Sequence, residues 1–122
     1  MIGKDNMKLD LTLLLKKLDN RTSFFDEVHI KGLTLLVNNR KNSRFNTLLQ
    51  FRKAGIEIEC NYCNAKPRYA EYTANFGLRM MVNEFNSMTI DHIIPKSNGG
   101  SNSADNYQIL CFKCNHKKGN RL

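Results

Sequence analysis

Two Cys-x-x-Cys pairs constrain the fold of this chain more than any other feature of its sequence. Cys60 and Cys63 form one pair, and Cys111 and Cys114 form the other. Each pair can bind one metal ion through two thiolates, and two pairs complete the tetrahedral four-sulfur set that Zn²⁺ prefers in structural sites. A redox-active dithiol is the alternative, but it does not explain a second pair. We therefore expect a structural zinc ion that closes the segment between the pairs into a loop.

The residues between the two pairs are predicted to form most of a sheet. Residues 56–59 alternate apolar and acidic side chains, which is the pattern of a half-buried strand. Further strands are predicted over residues 69–73, 78–85 and 88–94, with turns at 75–77 and 86–87. A polar loop over residues 96–106 and a short helix over residues 113–118, closed by Gly119, complete the pattern. We therefore expect an α+β fold in which zinc joins the start of the sheet to the start of the last helix.

The N-terminal part of the chain is predicted to be mainly helical. Apolar residues recur at helical spacing over residues 7–18, with residues 5–6 available as a cap. Residues 23–37 suit a helix or a strand, and Ser43 is expected to cap a helix that stops at Gly55. Because leucine-rich stripes of this kind usually face a core, this part should pack on the zinc module or on a second subunit.

A cluster of basic residues offers another role for the N-terminal part, namely contact with DNA. The cluster consists of Arg40, Lys41, Arg44, Arg52 and Lys53. On a basic protein such a face is more often simply solvated. We divide the chain into an N-terminal helical segment, residues 1–55, for packing, dimerisation or DNA contact, and a zinc-stapled module, residues 56–122.

The balance of charge favours a polyanionic partner. The 122 residues include 19 Lys and Arg against 11 Asp and Glu, which gives a formal net charge of +8. Such an excess attracts nucleic acid from a distance and makes binding salt-dependent. The sequence has no apolar run of about 18 residues and no pattern of a secretory signal, so we expect a cytoplasmic protein without a membrane partner.

An acid and a histidine stand side by side in the strand predicted over residues 88–94. Hydrolysis of a phosphodiester needs an activated water, a positive group that neutralises the charge of the phosphate, and stabilisation of the leaving oxygen. Histidine is a suitable base near neutral pH, and a hard cation such as Mg²⁺ can supply the rest. Neighbours on a strand point to opposite faces, so Asp91 and His92 serve one site only if the strand bends or ends at a cleft.

From Cys60 to Gly119, the order of these motifs resembles the HNH (ββα-metal) nuclease family. The pair Asp91-His92 is followed by Asn106, by the second cysteine pair with Asn115, and by a Lys-Gly ending. The resemblance implies that His92 is the general base and that Asp91 and Asn115 bind a catalytic metal. It also implies that Asn106 ties the loop back and helps to orient the histidine. The order is most similar to the four-cysteine branch that includes phage junction-resolving endonucleases.

Many members of that family have histidine at the third position, and here His116 follows Asn115. Neighbours on a helix lie about 100° apart, so both are not expected to bind one ion. We prefer Asn115, because an Asp and Asn pair is an all-oxygen set that suits Mg²⁺ or Mn²⁺, whereas His116 would favour softer ions. The loop entrance and the C-terminal end are predicted to contact phosphate through Lys96, Lys113, His116, Lys117, Lys118 and Arg121.

Taken together, the sequence predicts a metal-dependent endonuclease that hydrolyses DNA, with structural Zn²⁺ and catalytic Mg²⁺ or Mn²⁺. Two alternatives stay open. The first is a zinc-stabilised DNA-binding module without catalysis. It explains the basic charge and the cysteines, but it does not explain an Asp-His pair followed by Asn115. A nuclease that cleaves RNA would use the same basic charge.

Overall fold

A hydrophobic core shared by three helices and a five-stranded sheet organises the chain. The structure, a computed structural model, describes residues 6–19, 27–30, 33–36 and 40–119. The strands in these ranges are β1 (Asn6–Leu9), β2 (Glu27–Ile30), β3 (Leu33–Leu36), β4 (Tyr69–Thr73), β5 (Gly77–Asn83), β6 (Asn86–His92) and β7 (Tyr107–Cys111). The helices are α1 (Leu11–Asp19), α2 (Ser43–Lys53) and α3 (Phe112–Lys118). The predicted α+β class is confirmed.

The main sheet is antiparallel, with the strand order β1-β4-β5-β6-β7. An irregularity between Met81 and Asn83 shifts the register of β5 against β6. Strand β6 lies between β5 and β7 and contacts both α2 and α3. The last three elements, β6, β7 and α3, therefore form a ββα unit at one side of the sheet.

The helix predicted over residues 7–18 is wrong in its first part. Residues 6–9 form β1, in which Met7 pairs with Tyr72 of β4. Helix α1 begins only at Leu11, because the Asp10 carboxylate accepts a hydrogen bond from the Leu13 N–H at 3.0 Å and caps the helix there. An edge strand and a short capped helix thus replace one longer helix.

Residues 27–30 and 33–36 form an antiparallel strand pair, β2 and β3, so these residues follow the strand alternative. Residues 23–26, 31–32 and 37 lie outside the described residues. Helix α2 is confirmed, but Ser43 is its first residue and not its cap. Asn42 precedes it, and the Asn42 side chain accepts a hydrogen bond from the Leu78 N–H at 2.8 Å.

Both halves of the chain contribute to one hydrophobic core. From α1 and α2 it takes the buried residues Leu11, Leu14, Leu18, Phe45, Leu48 and Leu49. The same cluster contains Cys60, Met88, Leu110 and Cys111. Helices α1 and α2 therefore pack against the part of the chain that carries the four cysteines. The division of the chain after residue 55 stays a prediction.

Two local predictions in the sheet are wrong. Residues 56–59 are not a strand: only Ile58 is buried, and Lys66 pairs with Glu57 at 2.7 Å beside it. The turn predicted at residues 86–87 lies at 84–85, because the Asn83 side chain accepts a hydrogen bond from the Phe85 N–H at 2.9 Å and closes the turn earlier. No helix within the described ranges has the length and apolarity needed to cross a membrane.

Candidate active site and zinc site

The four cysteines come together in space. Their Sγ atoms all lie within 4.8 Å of one another. Cys60 and Cys63 belong to a turn before β4, while Cys111 ends β7 and Cys114 lies in α3. The Asn61 N–H donates a hydrogen bond to the Ile109 carbonyl at 2.9 Å, which joins this turn to β7. The cluster thus links the segment before the sheet to the start of the last helix.

The cluster has the size and the donors that zinc requires. A Zn–S bond of about 2.3 Å in a tetrahedron separates the sulfur atoms by roughly 3.8 Å. The Sγ atoms of Cys63 and Cys111 are 3.7 Å apart. All four cysteines are free of disulfide bonds. Four thiolates leave no open coordination position, so this cluster can bind a structural zinc ion.

The thiols differ in how readily they ionise. Burial opposes ionisation of Cys60, but backbone hydrogen bonds from Cys111, Cys63 and Tyr62 outweigh it and lower its pKa to about 7. Burial and hydrogen bonds with the other three thiols raise the pKa of Cys114 to about 12. The backbone at Ala65 favours the thiolate of Cys63, yet burial and the neighbouring thiols raise its pKa. A cation that binds here must displace protons from at least Cys63 and Cys114.

The predicted metal ligand Asp91 is buried at the end of β6. Its Oδ2 atom accepts a hydrogen bond from Nε2 of Gln108, its cross-strand neighbour, at 3.0 Å. The same oxygen lies 3.0 Å from Nζ of Lys118, and the two side chains are 9% and 4% exposed. Lys118 also donates to the His92 carbonyl at 3.1 Å. Lys118, which the sequence assigned to a phosphate, is instead buried and joins the end of α3 to the end of β6.

His92 is held at the last position of β6. Its Nε2 atom lies 3.0 Å from Oδ1 of Asn102, and its ring packs edge-on against Tyr107 at 5.2 Å between centroids. An amide oxygen only accepts hydrogen bonds, so Nε2 carries the proton in this contact. In the neutral ring Nδ1 is then the nitrogen with a lone pair. With Oδ1 of Asn102 as the acceptor, this contact favours the tautomer that carries its proton on Nε2.

Asn106 fastens that loop. Its side chain accepts from the Ile94 N–H at 2.9 Å and donates to the carbonyls of Ile94 and Ser101 at 3.1 and 2.8 Å. Gly100 lets the loop close, because a Cβ at this position would lie 1.7 Å from the Ile94 carbonyl oxygen. The loop that positions Asn102 is therefore anchored on both sides of its tip.

Strand β6 and helix α3 run side by side in the same direction. The Asn86 side chain accepts from the Lys113 N–H at 3.1 Å, and Nδ2 of Asn115 donates to Oγ1 of Thr89 at 2.9 Å. The contact between Lys118 and Asp91 follows one turn later. This alignment brings the predicted ligand Asn115 beside the strand that carries Asp91 and His92.

The oxygen atoms that could bind a catalytic cation can be identified from these contacts. Among the described residues, Oδ1 of Asp91 and Oδ1 of Asn115 take part in no hydrogen bond, since Gln108 and Lys118 engage only Oδ2 of Asp91. A carboxylate and an amide oxygen are donors that Mg²⁺ and Mn²⁺ accept. The residues fit a hard divalent cation, although the Lys118 ammonium already neutralises part of the charge of Asp91.

The predicted phosphate contacts separate into two groups. Lys96, Lys113, His116 and Lys117 are exposed, and the ring of His116 stacks on that of Phe112 at 6.0 Å. Lys118 is buried, and Arg121 lies outside the described residues. The exposed members form a basic rim along α3 and at the loop entrance.

Sequence reasoning missed four partners of the site: Thr89, Asn102, Gln108 and Lys118 in its role as the counter-ion of Asp91. Two signals could have found some of them. Thr89 lies two residues before Asp91, on the same face of the strand. Lys118 lies three residues after Asn115, on the same side of the helix.

A comparison with known protein families gives a match for the second half of the chain. The family model described as HNH endonuclease matches residues 60–121, which is about half of the 122-residue chain. The match covers both cysteine pairs, the Asp91-His92 strand and α3. No curated protein and no solved structure matches the chain. The chain therefore belongs to the HNH endonuclease family.

Proposed function

We propose that this protein is a metal-dependent endonuclease that hydrolyses phosphodiester bonds of DNA. The observation that carries the proposal is the state of His92, whose Nε2 is held by Asn102 so that Nδ1 can accept a proton. His92 follows Asp91 in sequence, and the Oδ1 atoms of Asp91 and Asn115, which make no hydrogen bond among the described residues, belong to β6 and α3, two elements that pack side by side. This is the combination that hydrolysis of a phosphodiester requires.

In the proposed reaction Nδ1 of His92 takes a proton from the attacking water. The Asn102 oxygen stabilises the imidazolium that forms, because it accepts a hydrogen bond from Nε2–H in both charge states. Asp91 and Asn115 would hold a divalent cation, which supplies charge stabilisation at the phosphate and at the leaving oxygen. Lys113 and Lys117 lie on the exposed side of α3 and would contact neighbouring phosphates.

A time course on supercoiled plasmid tests the proposal. Wild type and His92→Ala are compared in Mg²⁺, in Mn²⁺ and in chelator, with zinc content and DNA affinity measured on the same preparations. We expect cleavage by wild type only with divalent cation, and a loss of about 10²–10⁴-fold in rate for His92→Ala. DNA affinity should be unchanged. Equal cleavage by both proteins would remove His92 from the role of base.

One observation favours the second function, a zinc-stabilised DNA-binding module without catalysis. The Lys118 ammonium occupies the position next to Oδ2 of Asp91, where a cation would otherwise gain most from the carboxylate. If wild type binds DNA but cleaves no substrate in either metal, this second function is correct.

Dimerisation stays a prediction. The leucines that suggested it, Leu11, Leu14 and Leu18, are buried in the core of the same chain. A single site then cuts one strand, and nicked plasmid should precede linear plasmid in the time course.

A further inference from the structure

A basic and aromatic cleft lies at the start of α3, away from the Asp91 end. Its volume is about 480 Å³, which is in the range of sites for small organic molecules. Among the residues that line it are three basic and two aromatic ones: Lys41, Arg44, Arg79, Phe76 and Phe112. A second cavity of about 140 Å³ continues from it past Arg79 and Phe112. We define these five residues as the aromatic cleft.

The two phenylalanines of the aromatic cleft are not part of the hydrophobic core. Phe76 is 61% exposed and Phe112 is 51% exposed. Exposed aromatic rings are the platforms on which proteins stack unpaired bases, and each such contact is sequence-tolerant because every base has a flat face. The ring of His116 stacks on Phe112 and extends this surface along α3.

The charge of the cleft matches a nucleic acid backbone. The Arg79 guanidinium lies 4.9 Å from the centre of the Phe76 ring and pairs with Glu71 at 2.5 Å. Among the described residues, its Nε atom is a buried donor without an acceptor. Arg44 is exposed at the first turn of α2, and the Lys41 ammonium reaches the Ala74 carbonyl at 2.7 Å. Three positive side chains, those of Lys41, Arg44 and Arg79, thus line the cleft, and Glu71 offsets part of the charge of Arg79.

The walls of the cleft are fixed to each other. The Asn42 side chain accepts from the Leu78 N–H at 2.8 Å, directly behind Gly77. A Cβ at Gly77 would lie 2.3 Å from Oδ1 of Asn42, and its φ of +67° also favours glycine. The segment before α2 is therefore locked to the turn that carries Phe76. A preformed cleft binds its ligand with little loss of conformational entropy.

We propose that the aromatic cleft binds unstacked nucleotides of single-stranded DNA, with one base on Phe112 or Phe76 and phosphates at Arg44 and Arg79. The inference rests on the proposed function for the identity of the polymer, and it names the part of the substrate that the cleft holds. Phe112 and Lys118 stand at opposite ends of α3, about 9 Å apart along the helix, a distance that roughly three nucleotides span even at the short rise of about 3.4 Å that stacked nucleotides have. A strand held in the cleft therefore reaches the Asp91–His92 end within a few nucleotides.

Binding by the full chain tests this inference without any need for cleavage. The zinc-loaded protein with His92→Ala is titrated into a labelled single strand of about 12 nucleotides and into the duplex of the same length. The single strand should bind more tightly. In the same background, Phe76→Ala and Phe112→Ala should each weaken single-strand binding by about tenfold, the lower part of the range for loss of one stacked base. Phe112→Trp should retain it.

A control variant separates stacking from loss of fold. Tyr62→Ala removes an exposed aromatic side chain in the zinc turn, outside the cleft, and should leave single-strand affinity unchanged. Zinc content and thermal midpoint are measured for every variant. A 2-aminopurine base moved along the strand should lose fluorescence at the position that stacks, and this loss should disappear in Phe112→Ala.

Two outcomes would overturn the inference: unchanged single-strand affinity in the double variant Phe76→Ala/Phe112→Ala, or an equal loss of affinity for single strand and duplex. Failure of the proposed function gives a different result. If the plasmid is never cut but single-strand binding depends on Phe112, the inference about the cleft is correct and the proposed nuclease function is wrong. If the plasmid is cut and single-strand binding is independent of both phenylalanines, the inference about the cleft is wrong and the proposed nuclease function is correct.

Discussion

The two ends of helix α3 hold their partners in different ways. At its start, Cys111 and Cys114 join two further thiols in a set of identical donors within 4.8 Å. At its end, the Lys118 ammonium pairs with the Asp91 carboxylate, and one turn earlier the Asn115 amide donates a hydrogen bond to Thr89. A zinc ion would saturate the first set, whereas the second keeps oxygen atoms that a cation and a substrate can engage. One helix therefore contributes to two sets of donors: the four thiols at its start, which we call the closed site, and the oxygen atoms near its end that the proposed reaction would use, which we call the open site.

The largest effect should follow from removal of one cysteine of the closed site. Cys111→Ser removes one of four thiolates and leaves an incomplete set, so zinc binding and folding should be lost together. Structural zinc sites contribute about 10–16 kcal/mol of apparent binding free energy, more than the stability of a small domain. Circular dichroism and zinc analysis of the purified variant measure the loss. A zinc-free Cys111→Ser protein with a cooperative thermal transition would contradict the structural role.

The closed site could be predicted from the sequence because its geometry is local. Each Cys-x-x-Cys brings two thiolates to one ion without help from the rest of the chain, so only the meeting of the two pairs depends on the fold. Helix α2, strand β4 and the ending of α3 at Gly119 were predicted for a similar reason, since short-range patterns determine them.

The open site could be predicted only in part. The order of Asp91, His92, Asn106 and Asn115 indicated the family, but not the contacts between them. The bonds of Asp91 to Gln108 and Lys118 depend on strand register and on the direction of α3, which no local pattern specifies. The prediction for the start of the chain was wrong for the same reason. Residues 6–9 form a strand because they pair with the edge of β4, which lies far away in sequence.

Removal of the buried counter-ion should give the second largest effect. Lys118→Met leaves the Asp91 carboxylate buried without its cation, at a cost of about 3–5 kcal/mol in the free energy of unfolding. Urea denaturation of the zinc-loaded protein measures it. Lys117→Met, an exposed lysine on the same turn, should change stability by about 0.5 kcal/mol or less.

A double variant sharpens this result. Asp91→Asn/Lys118→Met removes both charges, so it should be more stable than Lys118→Met alone. If the single and double variants are equally unstable, the loss comes from packing of the lysine chain and not from an uncompensated charge.

The zinc affinity of the closed site should fall steeply as the pH is lowered, because protons compete with zinc for the thiolates. Above about pH 7 the Cys60 thiolate is already present, while Cys63 and Cys114 still carry protons because their pKa values are raised. Release of at least two protons predicts a decrease of about a hundredfold in affinity per pH unit. Below pH 7 the decrease should steepen as Cys60 gains its proton. Competition with a zinc-binding dye between pH 6 and 8.5 measures the slope, and a slope near zero would contradict it.

The smallest effect should come from a residue that acts only through His92. Asn102→Ala removes the oxygen that fixes the proton on Nε2, so both ring tautomers become populated and the ring turns more freely. Plasmid cleavage should slow by about 10–100-fold, while zinc content, stability and DNA affinity stay at wild-type values. Asn98→Ala, in the same exposed loop, is the matched control and should cleave normally. An unaltered rate would mean that the tautomer is fixed elsewhere, and the open site would then need no support from its loop.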